Sequence, residues 1–255
     1  MIFGSTPLSD AIGAILAHAT KHSGGTFKKG RILSIEDIAA LKAAGHTAVI
    51  VARLAGDDVP EDEAARAVSL AACGAGARAQ EAFTGRANLY STVKGLLIVD
   101  EARLRAINHI HESLTIATLP NHSRVAPKQM VATIKVIPFA VAREVLKTAL
   151  AIIAQEPLLK VVPFKPKRAG LVITRLPHTK PALLAKSETA IAERLEALGA
   201  TLSQTIIVSH AQEAVGNAIA TLHDGNCNPI LVFGASAIVD RSDVIPAAVV
   251  AVGGV

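Results

Sequence analysis

The residues best suited to chemistry stand in Ile230-Leu-Val-Phe-Gly-Ala-Ser-Ala-Ile-Val-Asp-Arg-Ser-Asp-Val-Ile-Pro246. A short apolar run is followed by the small residues Gly234, Ala235, Ser236 and Ala237, and the charged cluster Asp240, Arg241 and Asp243 then leads into a helix with proline in its first turn. Small residues let ligand oxygens approach the backbone, and a helix start offers unpaired N–H groups and a partial positive charge. The chemistry this pattern suits is anion binding. It holds a single glycine and neither a Walker nor a dinucleotide fingerprint. Ser236 lacks a Gly-x-Ser-x-Gly elbow, which sets hydrolase chemistry aside. Asp243 is favoured by the helix dipole whether or not it also orients a phosphate or a metal.

The elements that must position this loop follow in regular alternation from about residue 166 to 255. Gly170–Thr174 is expected as a strand, Pro181–Leu198 as a helix closed by Gly199, and Thr201–Val208 as a strand. Ala211–Leu222 follows as a helix and Pro229–Phe233 as a strand. Alternation of this kind predicts a parallel sheet with right-handed crossovers, whose ligands sit beyond the carboxyl ends of the strands. Thr174, Ser209 with His210, and Gly234 to Asp243 then share one rim. His210 is either a general base or an ordinary residue of a strand-to-helix junction.

Residues 1 to about 165 read as a mixed α+β region. Leu8–Ala19 has apolar residues at helical spacing and predicts a short helix. Ser34-Ile-Glu-Asp37 predicts a capped helix ended by Gly45, with Thr47–Arg53 a strand after it. Asp57, Asp58, Glu61, Asp62 and Glu63 around Pro60 suit a helix start better than a metal site. Thr84, Arg86, Asn88 and Tyr90 alternate as a strand would place them, so they form either a ligand-facing surface or an exposed strand face. Leu114–Leu119 and Met130–Phe139 are strongly β runs, and Val141–Ile153 is expected as a helix. His109 and His111 share no helix face and lack a third ligand. Pro157, Pro163 and Pro166 predict a semi-extended linker between the two parts.

Bulk properties narrow the function classes. With 255 residues, 51% of them hydrophobic, the chain has ample material for a core, and no apolar run is long enough to span a membrane. The start lacks a signal-peptide pattern, and Cys73 and Cys227 stand in unlike contexts that suit reduced thiols, so a cytoplasmic address is expected. The net charge is +5, but the basic residues are scattered and aromatics are only 3%, against nucleic-acid binding.

Three stretches of the second part, Gly170-Leu-Val-Ile-Thr174, Arg194-Leu-Glu-Ala-Leu-Gly-Ala200 and Phe233–Pro246, resemble the molybdopterin-binding domain of molybdenum-cofactor synthesis proteins. Phe83-Thr-Gly-Arg86, Thr115–Pro120 and Val131–Phe139 are similar to the leading region of bacterial molybdopterin-binding proteins fused to a nucleotidyltransferase. The resemblance implies an α/β domain at 166–255, a three-layer parallel sheet continuing beyond Val255, preceded by the α+β region at 1–165. It implies a small pterin ligand, molybdopterin or the molybdenum cofactor, cradled by Thr174, Gly234, Ala235, Ser236 and Asp243, with Lys186 and Arg241 as phosphate partners. It also implies a homo-oligomer and a fused or partner nucleotidyltransferase. The carboxylate of the family's first turn is replaced by Thr174-Arg-Leu-Pro-His178, so binding is carried further than transfer. Two other readings stay open. One is a nucleotide-dependent molybdopterin transferase using Asp243 and a divalent metal such as Mg2+, and the other is an interaction module with an empty rim.

Overall fold

In the computed structural model, which describes residues 1–255, the packing divides the chain into Met1–Pro163 and Phe164–Val255. The first unit opens with an antiparallel sheet in the order β1 (Ile2–Pro7), β5 (Ala48–Arg53) and β2 (Ile15–Leu16). A hairpin of β3 (Thr20–His22) and β4 (Gly25–Phe27) stands beside it in sequence. Ser34 caps α1 (Ile35–Ala43) in a full capping box: its hydroxyl accepts the Asp37 N–H at 3.2 Å, and the Asp37 carboxylate accepts the Ser34 N–H at 3.1 Å. Ile38 and Leu41 of that helix pack with Leu8, Leu16, Leu33 and Val51.

The helix expected over Leu8–Ala19 is not formed. Only Leu8–Asp10 makes a 3-10 turn, Gly13 then takes φ 74°, and Ile15 and Leu16 pair with Ala52 and Val51. Non-local strand pairing has overridden a locally helical pattern.

In the larger part of this unit every pair of strands is antiparallel, with one isolated parallel bridge between Cys73 and Leu159. A four-stranded sheet runs in the order β10 (Leu114–Thr118), β12 (Met130–Val136), β8 (Arg86–Ser91) and β7 (Ala77–Ala79). A second holds β11 (Arg124–Val125), β9 (Gly95–Val99) and β14 (Leu159–Pro163), and β6 (Asp58–Pro60) pairs with β13 (Ala140–Ala142). The helices α2 (Glu61–Ala72), α3 (Glu101–Asn108) and α4 (Arg143–Ile153) complete it. Along β8 the residues Ala87, Leu89 and Ser91 are buried while Arg86, Asn88 and Tyr90 face outward. Ala87 and Leu89 of that inner row join Val68, Ala72, Ile134 and Leu146 in one large core. The linker expected across Pro157–Pro166 is mostly absent, because Leu159–Pro163 is β14 and pairs with Val99–Gly95 of β9.

The second unit alternates β15 (Lys167–Arg175), α5 (Pro181–Ala197), β16 (Ala200–Ser209), α6 (Gln212–Asp224), β17 (Ile230–Phe233) and α7 (Val244–Ala251). Its three strands are parallel in the order β16-β15-β17. Leu171 and Ile173 of β15 pack with Leu184 of α5, whereas Val172, between them, packs with Ala218 and Leu222 of α6. Alternate residues of the central strand therefore bury against helices on opposite faces. The chain leaves β15 to one side for β16 and returns across it for β17, so the direction of winding reverses at β15. No helix of the protein is long and apolar enough to cross a membrane.

Candidate functional site

Thr174 is the penultimate residue of β15 and is 1% exposed. Its hydroxyl accepts the Ala235 N–H at 2.7 Å and lies 2.9 Å from Nδ1 of His210. His210 is fixed from its other side by its backbone N–H, which donates to the Arg175 carbonyl at 3.1 Å. The ends of all three strands are thus tied by one buried hydroxyl, which holds the start of the loop after β17 to the central strand.

Asp243 occupies the N-cap position of α7, yet its carboxylate makes no capping bond to that helix. Its Oδ2 instead accepts the N–H groups of Val239 and Asp240. The Val239 N–H, then that of Asp240, hold the carboxyl below the usual range against partial desolvation, with the His210 ring adding to the effect. Asp240 in turn accepts the Ser242 N–H at 2.6 Å. Both acids brace the loop. What this leaves unsatisfied is informative: the N–H groups of Ser236, Ala237 and Ile238, and those of Val244 and Ile245 in the first turn of α7, have no acceptor in the protein.

Gly234 owes its smallness to packing. A Cβ there would lie 2.5 Å from Cδ1 of Ile245 and 3.1 Å from the Ser236 carbonyl oxygen. Of the residues expected in the cradle, Thr174 and Ala235 take part in the bonded rim, together with His210, while Asp243 braces the loop that follows. Gly234 and Ser236 belong to the same loop, where Ser236 is exposed. Lys186 lies in the second turn of α5 and Arg241 in the loop; both are exposed, neither enters an ion pair, and no bond connects either to the rim. His210 is the member that sequence reasoning leaves ambiguous, its signal being a polar residue ending one parallel strand opposite a polar residue ending the next.

A cleft of about 630 Å³ belongs to the first unit and is lined by none of these residues. Thr84, Arg86 and Asn88 do line it, whereas Tyr90 does not. No group of three or more His, Cys, Asp or Glu side chains is arranged to hold a metal ion. The His109 ring bonds the Arg105 carbonyl and His111 bonds Ser113, so both histidines have local roles.

Residues 5–53 match a family described as a domain of unknown function, DUF8806. That match covers the stretch from β1 through α1 to the end of β5. No curated protein matches the chain.

Proposed function

We propose that the second unit binds a phosphorylated pterin of the molybdopterin class, with or without its metal, and that the chain belongs to the molybdopterin-binding domain family. The observation that carries this most directly is the set of unpaired N–H groups at Ser236, Ala237, Ile238, Val244 and Ile245, in one loop and the helix turn it enters. Such groups favour an anion, and the helix dipole adds to that preference. They follow a strand beside the reversal of winding at β15, the part of an open parallel sheet that ordinarily takes ligands. Within this reading Thr174 and Asp243 shape the loop, Ala235 and Ser236 present backbone, and Lys186 and Arg241 supply exposed positive charge. Self-association and a nucleotidyltransferase partner come with the same reading and rest on the sequence resemblance, whereas cytoplasmic residence rests on the first residues and the two unpaired cysteines.

The test is to purify the chain from cells that make the cofactor, denature it, and assay released, oxidised pterin by fluorescence. Pterin is expected from the wild type and not from Asp243→Ala, whose loop loses two backbone bonds. Absence from a folded wild type would overturn the proposal. Nucleotide-dependent conversion of the pterin would instead make the chain a transferase.

A further inference from the structure

The cleft of the first unit has the size of a small-molecule site, about 630 Å³. Four stretches of sequence build it, the Phe83–Thr84 turn and β8 being one of them. Glu61 opens α2, Phe83 and Thr84 form a turn, Arg86 and Asn88 come from β8, and Lys135 comes from β12, with Lys29 from the turn after β4 closing the wall.

Arg86 and Lys135 are direct partners in the β8/β12 ladder and both face outward. Like charges directly opposite one another destabilise an antiparallel pair. Neither residue has a carboxylate in ion-pair contact. Lys29 is a third cation of the same cleft, held with Nζ 4.9 Å from the centre of the Phe139 ring. The neighbouring pair, Asn88 and Thr133, is organised: the Thr133 hydroxyl donates to Asn88 Oδ1 at 2.7 Å, which leaves the Asn88 amide N–H groups to act as donors. The Glu61 side chain, whose Oε2 lies beside Gly85 and which feels the charge of Lys29, has no hydrogen bond and no ion-pair contact. Glu81, the other acid of the lining, pairs with Arg66 at 3.6 Å.

The backbone at the mouth is strained as well. Phe83 and Arg86 exchange both backbone bonds around Thr84 and Gly85, which have φ of 50° and 70°. A β-branched residue in that region is an outlier, and strain of this kind gathers at functional sites. Packing gives no return for it, because Phe83 is 75% exposed.

We propose that this cleft is a second binding site, for a small molecule that carries a phosphate group together with hydrogen-bond donors. Arg86 and Lys135 take the phosphate with Lys29 adding positive charge, the Asn88 amide adds a donor, and the Glu61 carboxylate accepts from the ligand's donors. An opposed pair of cations is the arrangement expected where an anion sits between them, and Arg can engage phosphate through two parallel bonds.

The proposal is tested by equilibrium dialysis of the full chain against radiolabelled inorganic pyrophosphate at constant ionic strength. Because the rim of the second unit also favours anions, the double variant Arg86→Gln/Lys135→Gln is compared with Thr174→Val, which alters only the rim. Saturable retention by the wild type and by Thr174→Val, weakened at least tenfold in the double variant, is the expected result. Retention by the wild type that the double variant keeps, or no saturable retention at all, overturns the proposal. Relief of the like-charge contact leaves the double variant melting no lower than the wild type, so lost retention is not lost folding.

Discussion

Thr174 Oγ1 accepts the Ala235 N–H at 2.7 Å across 61 residues of sequence. Thr174→Val keeps the shape of the side chain and removes this acceptor, leaving a donor with no partner in the protein. The expected cost is about 1–3 kcal/mol of stability, against a far smaller loss for Thr174→Ser, which retains the hydroxyl. Urea unfolding of the two variants checks it, and equal midpoints for Val and Ser would show that the bond contributes nothing. Pterin retention should fall with Val and persist with Ser.

The carboxylate of Asp37 receives a two-pronged contact from Arg31, at 2.7 and 2.8 Å, beside the Ser34 N–H. The Arg31 guanidinium foremost holds this carboxyl below its usual range, in spite of desolvation. A carboxyl lowered in the folded state stabilises the protein above its unfolded value, near pH 3.9, and loses that contribution as the pH falls through the folded one. Asp37→Asn should therefore cost about 1–2 kcal/mol at neutral pH, a figure reduced because Arg31 is half exposed, and the difference should close in acid. Unfolding curves at pH 7 and pH 2.5 decide; a penalty of the same size at both would assign the effect to the cap alone.

Glu61 behaves in the opposite sense. Desolvation raises its pKa, the neighbouring Asp62 raises it further, and Lys29 works against both. The folded state then binds the proton more tightly than the unfolded chain, so stability declines as the pH rises from the unfolded value through the folded one. Glu61→Gln should melt higher than wild type at pH 7, by at most about 0.5 kcal/mol, with the advantage gone at pH 3. A lower melting point at pH 7 would mean that the carboxylate has a stabilising partner.

Replacing Thr84 with asparagine gives the Asn-Gly pair preferred where two successive residues take positive φ, as Thr84 and Gly85 do. The gain expected is about 1 kcal/mol, the scale of the left-handed penalty for a residue with a branched Cβ. Thermal unfolding of Thr84→Asn measures it. Destabilisation instead would show that the Thr84 hydroxyl, which donates to the Phe83 carbonyl at 2.8 Å, outweighs the strain.

Legibility in the sequence followed the range of the interaction. The α1 cap was readable because Ser34 and Asp37 satisfy each other within one turn. The strand and helix segments after residue 166 also lie close to where their periodicity puts them, since each is written in its own residues. Ile15 and Leu16 could not be read as a strand, because their partners, Ala52 and Val51, come more than thirty residues later. The same holds for Leu159–Pro163, whose prolines suggest a linker until β9 is there to pair with them. At the rim, the smallness of the Gly234 loop was plain, but the Ile245 side chain that requires it was not. Asp243 was visible as an acid at a helix start, whereas its use in bracing Val239 and Asp240 needs the folded loop. Thr84-Gly85 is a turn signal disguised by threonine, so the turn reads as the beginning of the strand that follows it.

The central position of β15 also sets a clock for its unit. Its backbone is laddered to β16 on one edge and β17 on the other, with helices over both faces, whereas β16 and β17 each keep one unladdered edge. In deuterated solvent the outer strands can release their amide protons by fraying. Those of Leu171, Val172 and Ile173 must wait until the unit opens as a whole, so their exchange rate measures its global stability directly.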